Sequence, residues 1–124
     1  MNNTETKELT KAELEVMKIV WEKNMIFLAD IVEGYKSEDK PAYTTISTIV
    51  RILVKKGFLG YETFGKTNRY YSIITKEEYR KNIISNTLSN FFNNSPIELI
   101  SYFAKEGSLS AKQYQELQDL INKG

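Results

Sequence analysis

Cysteine and histidine are both absent from this 124-residue chain. Without cysteine there are no disulfides, no thiolate metal site and no nucleophilic thiol. Without histidine the commonest general base and the commonest metal ligand are missing as well. Also lacking is any run near the ~18 uninterrupted apolar residues that a membrane span needs. The opening MNNTETKELTK, residues 1–11, is polar and carries both charge signs, unlike a signal or transit peptide, so the expected location is cytoplasmic. No glycine-rich phosphate loop or nucleophile motif occurs, and the 16 acids stand mostly at helix starts or beside lysines. These absences argue against an enzyme, a metal site and a cofactor.

What the chain does have is an uneven charge distribution behind a net charge of only +1. Residues 1–39 hold five lysines against nine acids, a net of −4. Residues 40–69 hold Lys40, Arg51, Lys55, Lys56, Lys66 and Arg69 against Glu62 alone, a net of +5. The remainder is neutral. A basic block on a balanced chain is the electrostatic footprint of a phosphate partner, although a solvated lysine face has the same composition.

Ser or Thr followed three residues later by Glu or Gln marks a helix start, because each side chain satisfies the other residue's free amide. Four such pairs precede apolar-periodic segments: Thr10–Glu13, Thr75–Glu78, Ser95–Glu98 and Ser110–Gln113. The first helix is expected over about 12–23, with Leu14, Met17, Val20 and Trp21 on its apolar face and Ile19 off the main stripe. A short strand in 24–27 would precede a second helix over about 28–35, where Leu28, Ile31, Val32 and Tyr35 repeat at helical spacing. The polar stretch 37–41, ending in Pro41, breaks the chain. A third helix over 44–56 carries Ile46, Ile49, Val50, Leu53 and Val54 on one side, with Gly57 at its end. Residues 58–64 and 69–74 then read as a β-hairpin with a basic turn at 65–68.

Three helices followed by such a hairpin is a winged helix-turn-helix: mainly α with a small β-wing, its third helix the recognition helix. The expected division is a DNA-binding domain at 1–75 and a helical region at 76–124. That second region carries Tyr79, Ile84, Leu88, Phe91, Phe92, Ile97, Leu99, Ile100, Tyr102, Phe103, Tyr114, Leu117, Leu120 and Ile121. Fewer than 50 residues in three short helices cannot enclose so much apolar surface alone and need a second chain or the winged helix to pack against. Symmetric self-association is the economical answer. Ile84, Leu88, Phe91, Phe92, Ile100, Phe103, Leu117, Leu120 and Ile121 are the expected dimer contacts.

Three segments resemble the penicillinase-repressor family: LTKAELEVMKIVWEK (9–23), TISTIVRILVKKGFL (45–59) and ELISYFAKEGSLS (98–110). The resemblance extends from about Leu9 to Leu120. It departs at Ile52, where members commonly have arginine, and at Tyr71-Ser72-Ile73, where the usual Tyr-x-Pro lacks its proline. Copper-responsive members carry a Cys-x-Cys site that this chain cannot form. The resemblance implies a transcriptional repressor that occludes an inverted-repeat operator as a homodimer. In the β-lactam-responsive branch of antibiotic resistance, a membrane sensor with a metalloprotease domain leads to cutting of the repressor's tail. The corresponding site here is Tyr102-Phe103-Ala104-Lys105, with tyrosine in place of asparagine; dimer core is the favoured role of Tyr102 and Phe103, and the two roles are compatible because a cut there would destroy the dimer.

Tyr43, Thr44, Thr45, Ser47, Thr48 and Arg51 on the third helix are either a solvated face or DNA contacts. The family and the basic wing favour DNA. Arginine grips guanine with two hydrogen bonds, and threonine offers a hydroxyl to a base and a methyl to thymine. Lys55, Lys66 and Arg69 suit phosphates, which position a protein without specifying sequence. Two alternatives stand beside this reading. One is a regulator that binds a small effector between tail and winged helix; the other is a winged helix used as a protein-interaction module.

Overall fold

The computed structural model describes residues 8–36 and 38–123. The sequence readings that involve residues 1–7 and Ser37 lie outside them. The elements in chain order are α1 (Lys11–Lys23), β1 (Ile26–Phe27), α2 (Leu28–Glu33), α3 (Tyr43–Lys56), β2 (Leu59–Phe64), β3 (Thr67–Ser72), α4 (Lys76–Phe91), α5 (Pro96–Lys105) and α6 (Ala111–Lys123). The chain divides into two compact units between Asn82 and Ile83.

Local chemistry places the helix starts. Thr10 and Glu13 satisfy each other's amides before α1, at 3.0 and 3.1 Å. Thr75 with Glu78 and Ser110 with Gln113 repeat the arrangement before α4 and α6. Ahead of α5 only half of it forms: Ser95 accepts from the Glu98 amide, while the Glu98 carboxylate takes a hydrogen bond from Asn93. The start of α2 carries a signal that the Ser/Thr pattern cannot find. There the Asp30 carboxylate accepts from the Phe27 amide at 3.0 Å.

In the first unit α1, α2 and α3 enclose Val16, Met17, Val20, Ile31, Ile46, Val50 and Leu53, with Phe58 and Leu59 closing the floor. Ile19 corrects the sequence reading. It belongs to this core, because Gly34, which caps the end of α2, lies against it: a Cβ built on Gly34 would lie 2.5 Å from an Ile19 methyl. Glycine at that point lets the chain pack where a helical stripe alone would leave Ile19 outside. The second helix also ends earlier than its spacing predicts, at Glu33, and Tyr35 lies beyond it.

The sheet has three antiparallel strands in the order β1-β3-β2. Ile26 pairs with Tyr70 and Phe27 with Arg69, so the short first strand anchors the wing to the helical core. The turn of the wing is tighter than the sequence suggests. Thr67 pairs with Phe64, and Asn68 with Thr63, which leaves Gly65 and Lys66 alone at the tip. Gly65 has φ 63°, the left-handed backbone that two-residue hairpin turns require. Helix, helix, recognition helix and wing form a winged helix, as expected.

The first turn of α4 also docks onto this unit. Tyr79 packs its ring against Trp21 at 5.9 Å and Phe58 at 6.0 Å, and its hydroxyl accepts from the Leu9 amide at 2.9 Å. The Trp21 indole N–H donates to the Ile74 carbonyl, which fixes the exit of the wing beside it.

The second unit is different in kind. None of the described residues of α4, α5 or α6 is buried. Among the described residues no helix is long and apolar enough to cross a membrane.

Candidate nucleic-acid interface

Ile46, Ile49, Val50 and Leu53 turn one side of α3 inward and thereby present the other. Tyr43, Thr44, Thr45, Thr48, Arg51 and Lys55 are exposed, and Ser47 is half-buried at the edge. No side chain caps the start of α3, so its first amides are available to solvent or an anion. The Thr48 hydroxyl donates to the Thr44 carbonyl at 3.0 Å, which commits its proton and leaves its lone pairs and methyl group for a partner. Gly57, at φ 88°, ends the helix in a left-handed cap beyond Lys55 and Lys56.

Lys56 does not contribute to this face. Its ammonium reaches inward to both oxygens of Glu13, at 3.0 and 2.9 Å. Burial pushes the Glu13 carboxyl up, but the Lys56 hydrogen bond, the Thr10 amide and the Lys56 charge together outweigh burial and hold it below the ordinary value. One of the six cations counted in residues 40–69 is therefore spent on the fold.

At the wing, Lys66 stands exposed on the turn. Arg69 is half-buried rather than extended. Its guanidinium lies 4.6 Å from the centre of the Phe64 ring, and its Nε is enclosed without a hydrogen-bond partner. Only the outer nitrogens of Arg69 remain for a phosphate. Between the start of α2 and the wing lies an open crevice of about 560 Å³, walled by Phe27 to Asp30, Lys66 to Asn68 and Tyr70, with Tyr43 at the start of α3 beside them. Away from this face, burial pushes the Tyr35 phenol up and the Glu15 charge adds to it.

The expected dimer residues separate into groups. Ile100, Phe103, Leu117 and Leu120 line one groove of about 310 Å³, with Leu109 and the polar Gln113 and Glu116 at its rim. Phe92 packs its ring on Tyr102 at 5.7 Å. Ile84, Phe91 and Ile121 are exposed, and Leu88 is half-buried, outside that groove. Ile97, at 70% exposure, belongs with Phe91 at 77% among the most exposed apolar side chains. Tyr102 and Phe103 are both exposed within α5.

The profile of the penicillinase repressor family matches residues 9–123. This chain belongs to the penicillinase repressor family. The methicillin resistance regulatory protein MecI of Staphylococcus aureus (strain N315) is 27% identical over 121 residues, covering 98% of each chain. The penicillinase repressor of Bacillus licheniformis is 25% identical over 114 residues, covering 92% of this chain and 89% of its own. Among solved structures, the DNA-binding domain of the repressor BlaI matches with a TM-score of 0.53 at 28% identity, covering 64% of this chain and 94% of that one. The Bacillus licheniformis BlaI monomeric form in complex with the blaP half-operator matches with a TM-score of 0.51, also at 28% identity, over 60% of this chain and 90% of that one. Both solved matches support the winged-helix reading, and the family is one of transcriptional repressors.

Proposed function

We propose that this transcriptional repressor lies across operator DNA in the cytoplasm as a homodimer, with each α3 in a major groove and each wing on the flanking backbone. The observation that carries the proposal is the exposed face of Tyr43, Thr44, Thr45, Thr48 and Arg51, with half-buried Ser47 at its edge, bordered by Lys55, Lys66 and Arg69. It is supported by a relative of the same fold that binds half-operator DNA. Arg51 reads a base, Thr48 accepts from an exposed amino group, and the lysines hold phosphates.

The contacts separate experimentally. Arg51→Ala is expected to cost about 1–3 kcal/mol on the operator and to relax preference at one base pair. Lys66→Ala is expected to weaken all sequences alike and to lower the salt dependence by about one counterion. Binding titrations over a salt series measure both. Two variants indistinguishable from the parent would remove this face from the reading.

The tail supplies the dimer through Ile84, Leu88, Phe91, Phe92, Ile100, Phe103, Leu117, Leu120 and Ile121, because this surface has no interior of its own. Induction cuts the chain near Tyr102–Phe103, through a membrane sensor that carries a metalloprotease and answers a β-lactam-type signal. Exposure of both side chains supports this site, and a cut there removes Leu117 and Leu120 from the groove that Ile100 begins. Mass spectrometry of the protein from cells treated with a β-lactam is expected to show fragments ending near Phe103. Derepression with the chain intact rules the cut out and leaves the repressor assignment standing.

A further inference from the structure

We infer that Ile52 is a specificity residue: with the methyl groups of Thr45 and Thr48 it forms an apolar strip that reads thymine methyls in the major groove. The inference rests on the DNA-binding reading and adds the chemical class of base that α3 selects. Every other isoleucine and leucine of α3 is inside, none above 9% exposure, yet Ile52 is 40% exposed. Its position follows Thr45 and Thr48 at the three- and four-residue spacing that stacks side chains along one edge of a helix. One turn further on, Lys56 on the same edge folds away to Glu13, which leaves the edge apolar up to Lys55.

The strip is pre-arranged. Ile52 is β-branched and loses little freedom on contact. The Thr48 hydroxyl has its proton on the Thr44 carbonyl, so exposed Thr48 in this rotamer cannot donate to a base acceptor and is left with a methyl and oxygen lone pairs to offer. Among base edges in the major groove, only thymine offers an apolar group, its C5 methyl.

Protein is the poorer occupant. Docking surfaces on proteins are contiguous apolar patches of a few hundred Å². One isoleucine and two threonine methyls, flanked by Arg51 and Lys55, are too small and too cationic for that role. The same neighbours suit a polyanion that presents one or two methyls per half-site.

The test separates the strip from the DNA-binding reading itself. The full chain is used to select a site from random duplexes, and each thymine of that site is replaced in turn by uracil, which removes only the methyl. The expected result is one or two positions per half-site where uracil weakens binding roughly fourfold, the equivalent of about 0.8 kcal/mol. Ile52→Ala is expected to bind the thymine site weaker by a similar factor and to lose the distinction between thymine and uracil. Ile52→Val, which keeps the branch, is expected to retain part of it, and matched unfolding midpoints check that the variants fold. Failure to select any site defeats the DNA-binding reading. A selected site indifferent to every uracil, or an Ile52→Ala chain that keeps the full uracil penalty, overturns the strip alone.

Discussion

A chain ending at Asn82 is expected to sediment as a monomer and to bind a full palindromic operator about 10²–10⁴-fold more weakly than the full chain. The physical basis is effective concentration. Two winged helices held together present the second recognition helix to its half-site once the first is seated, whereas separate heads must each bind from solution. The cut belongs at Asn82 rather than at Thr75. Tyr79 packs on Trp21 and Phe58 and takes the Leu9 amide, so a chain ending at Thr75 would damage the DNA-reading unit along with the tail. With Tyr79 kept, affinity for an isolated half-site is expected to stay near that of the full chain. Analytical sedimentation and half-site against full-site titrations provide the measurement. A full chain that remains monomeric at tens of micromolar, an order of magnitude set by ordinary dimer affinities, would sink the dimer proposal.

Replacing Lys56 with methionine is expected to cost about 2–4 kcal/mol at pH 7, near the lower end of what breaking a buried ion pair costs, since Lys56 is one-third exposed. Glu13 is the reason. It is 6% exposed, and without Lys56 its charge stays buried with Thr10 as its remaining hydrogen-bond partner. The sign with pH follows from the lowered folded pKa of Glu13. A carboxylate depressed on folding contributes stability above its unfolded value, roughly 4.3, and loses it as pH falls through the folded pKa. The parent is therefore expected to lose this contribution below about pH 4.3. In the variant the Lys56 hydrogen bond and charge are gone and only Thr10 still opposes burial, so the Glu13 pKa rises relative to the parent and the gap between the two chains narrows on acidification. Adding Glu13→Gln, which keeps the capping hydrogen bond, is expected to recover most of the loss at pH 7. Thermal unfolding at pH 7 and pH 4 would show this, and a loss below 1 kcal/mol at pH 7 would make the pair a surface contact in energetic terms.

What could be read from the chain was whatever is decided over three or four residues. The capping pairs before α1, α4 and α6 formed as their spacing required, and the aromatic and β-branched residues of 58–64 and 69–74, with turn residues between them, gave the hairpin. Misread features depended on distant partners. Ile19 is inside because Gly34, fifteen residues later, allows close approach, and no helical periodicity contains that information. Lys56 looked like part of the basic face until Glu13, 43 residues earlier, was found beneath it. Arg69 looked like a free cation because Phe64 reaches it only across the tight turn. On α3 the inward stripe was legible, and so were the outward hydroxyls. Ile52 stood outside that stripe in the sequence and is exposed in the structure, but pattern alone gave an outward isoleucine no task.

The lack of a buried residue in α4, α5 and α6 has a consequence at the level of dosage. For a repressor whose halves join through such a surface, the population able to span an operator grows with the square of protein concentration while monomer predominates. Repression then rises steeply over a narrow range of cellular abundance, and a modest fall in synthesis or rise in turnover releases the promoter disproportionately. On the dimer proposal, the number of molecules in the cell becomes part of the signal.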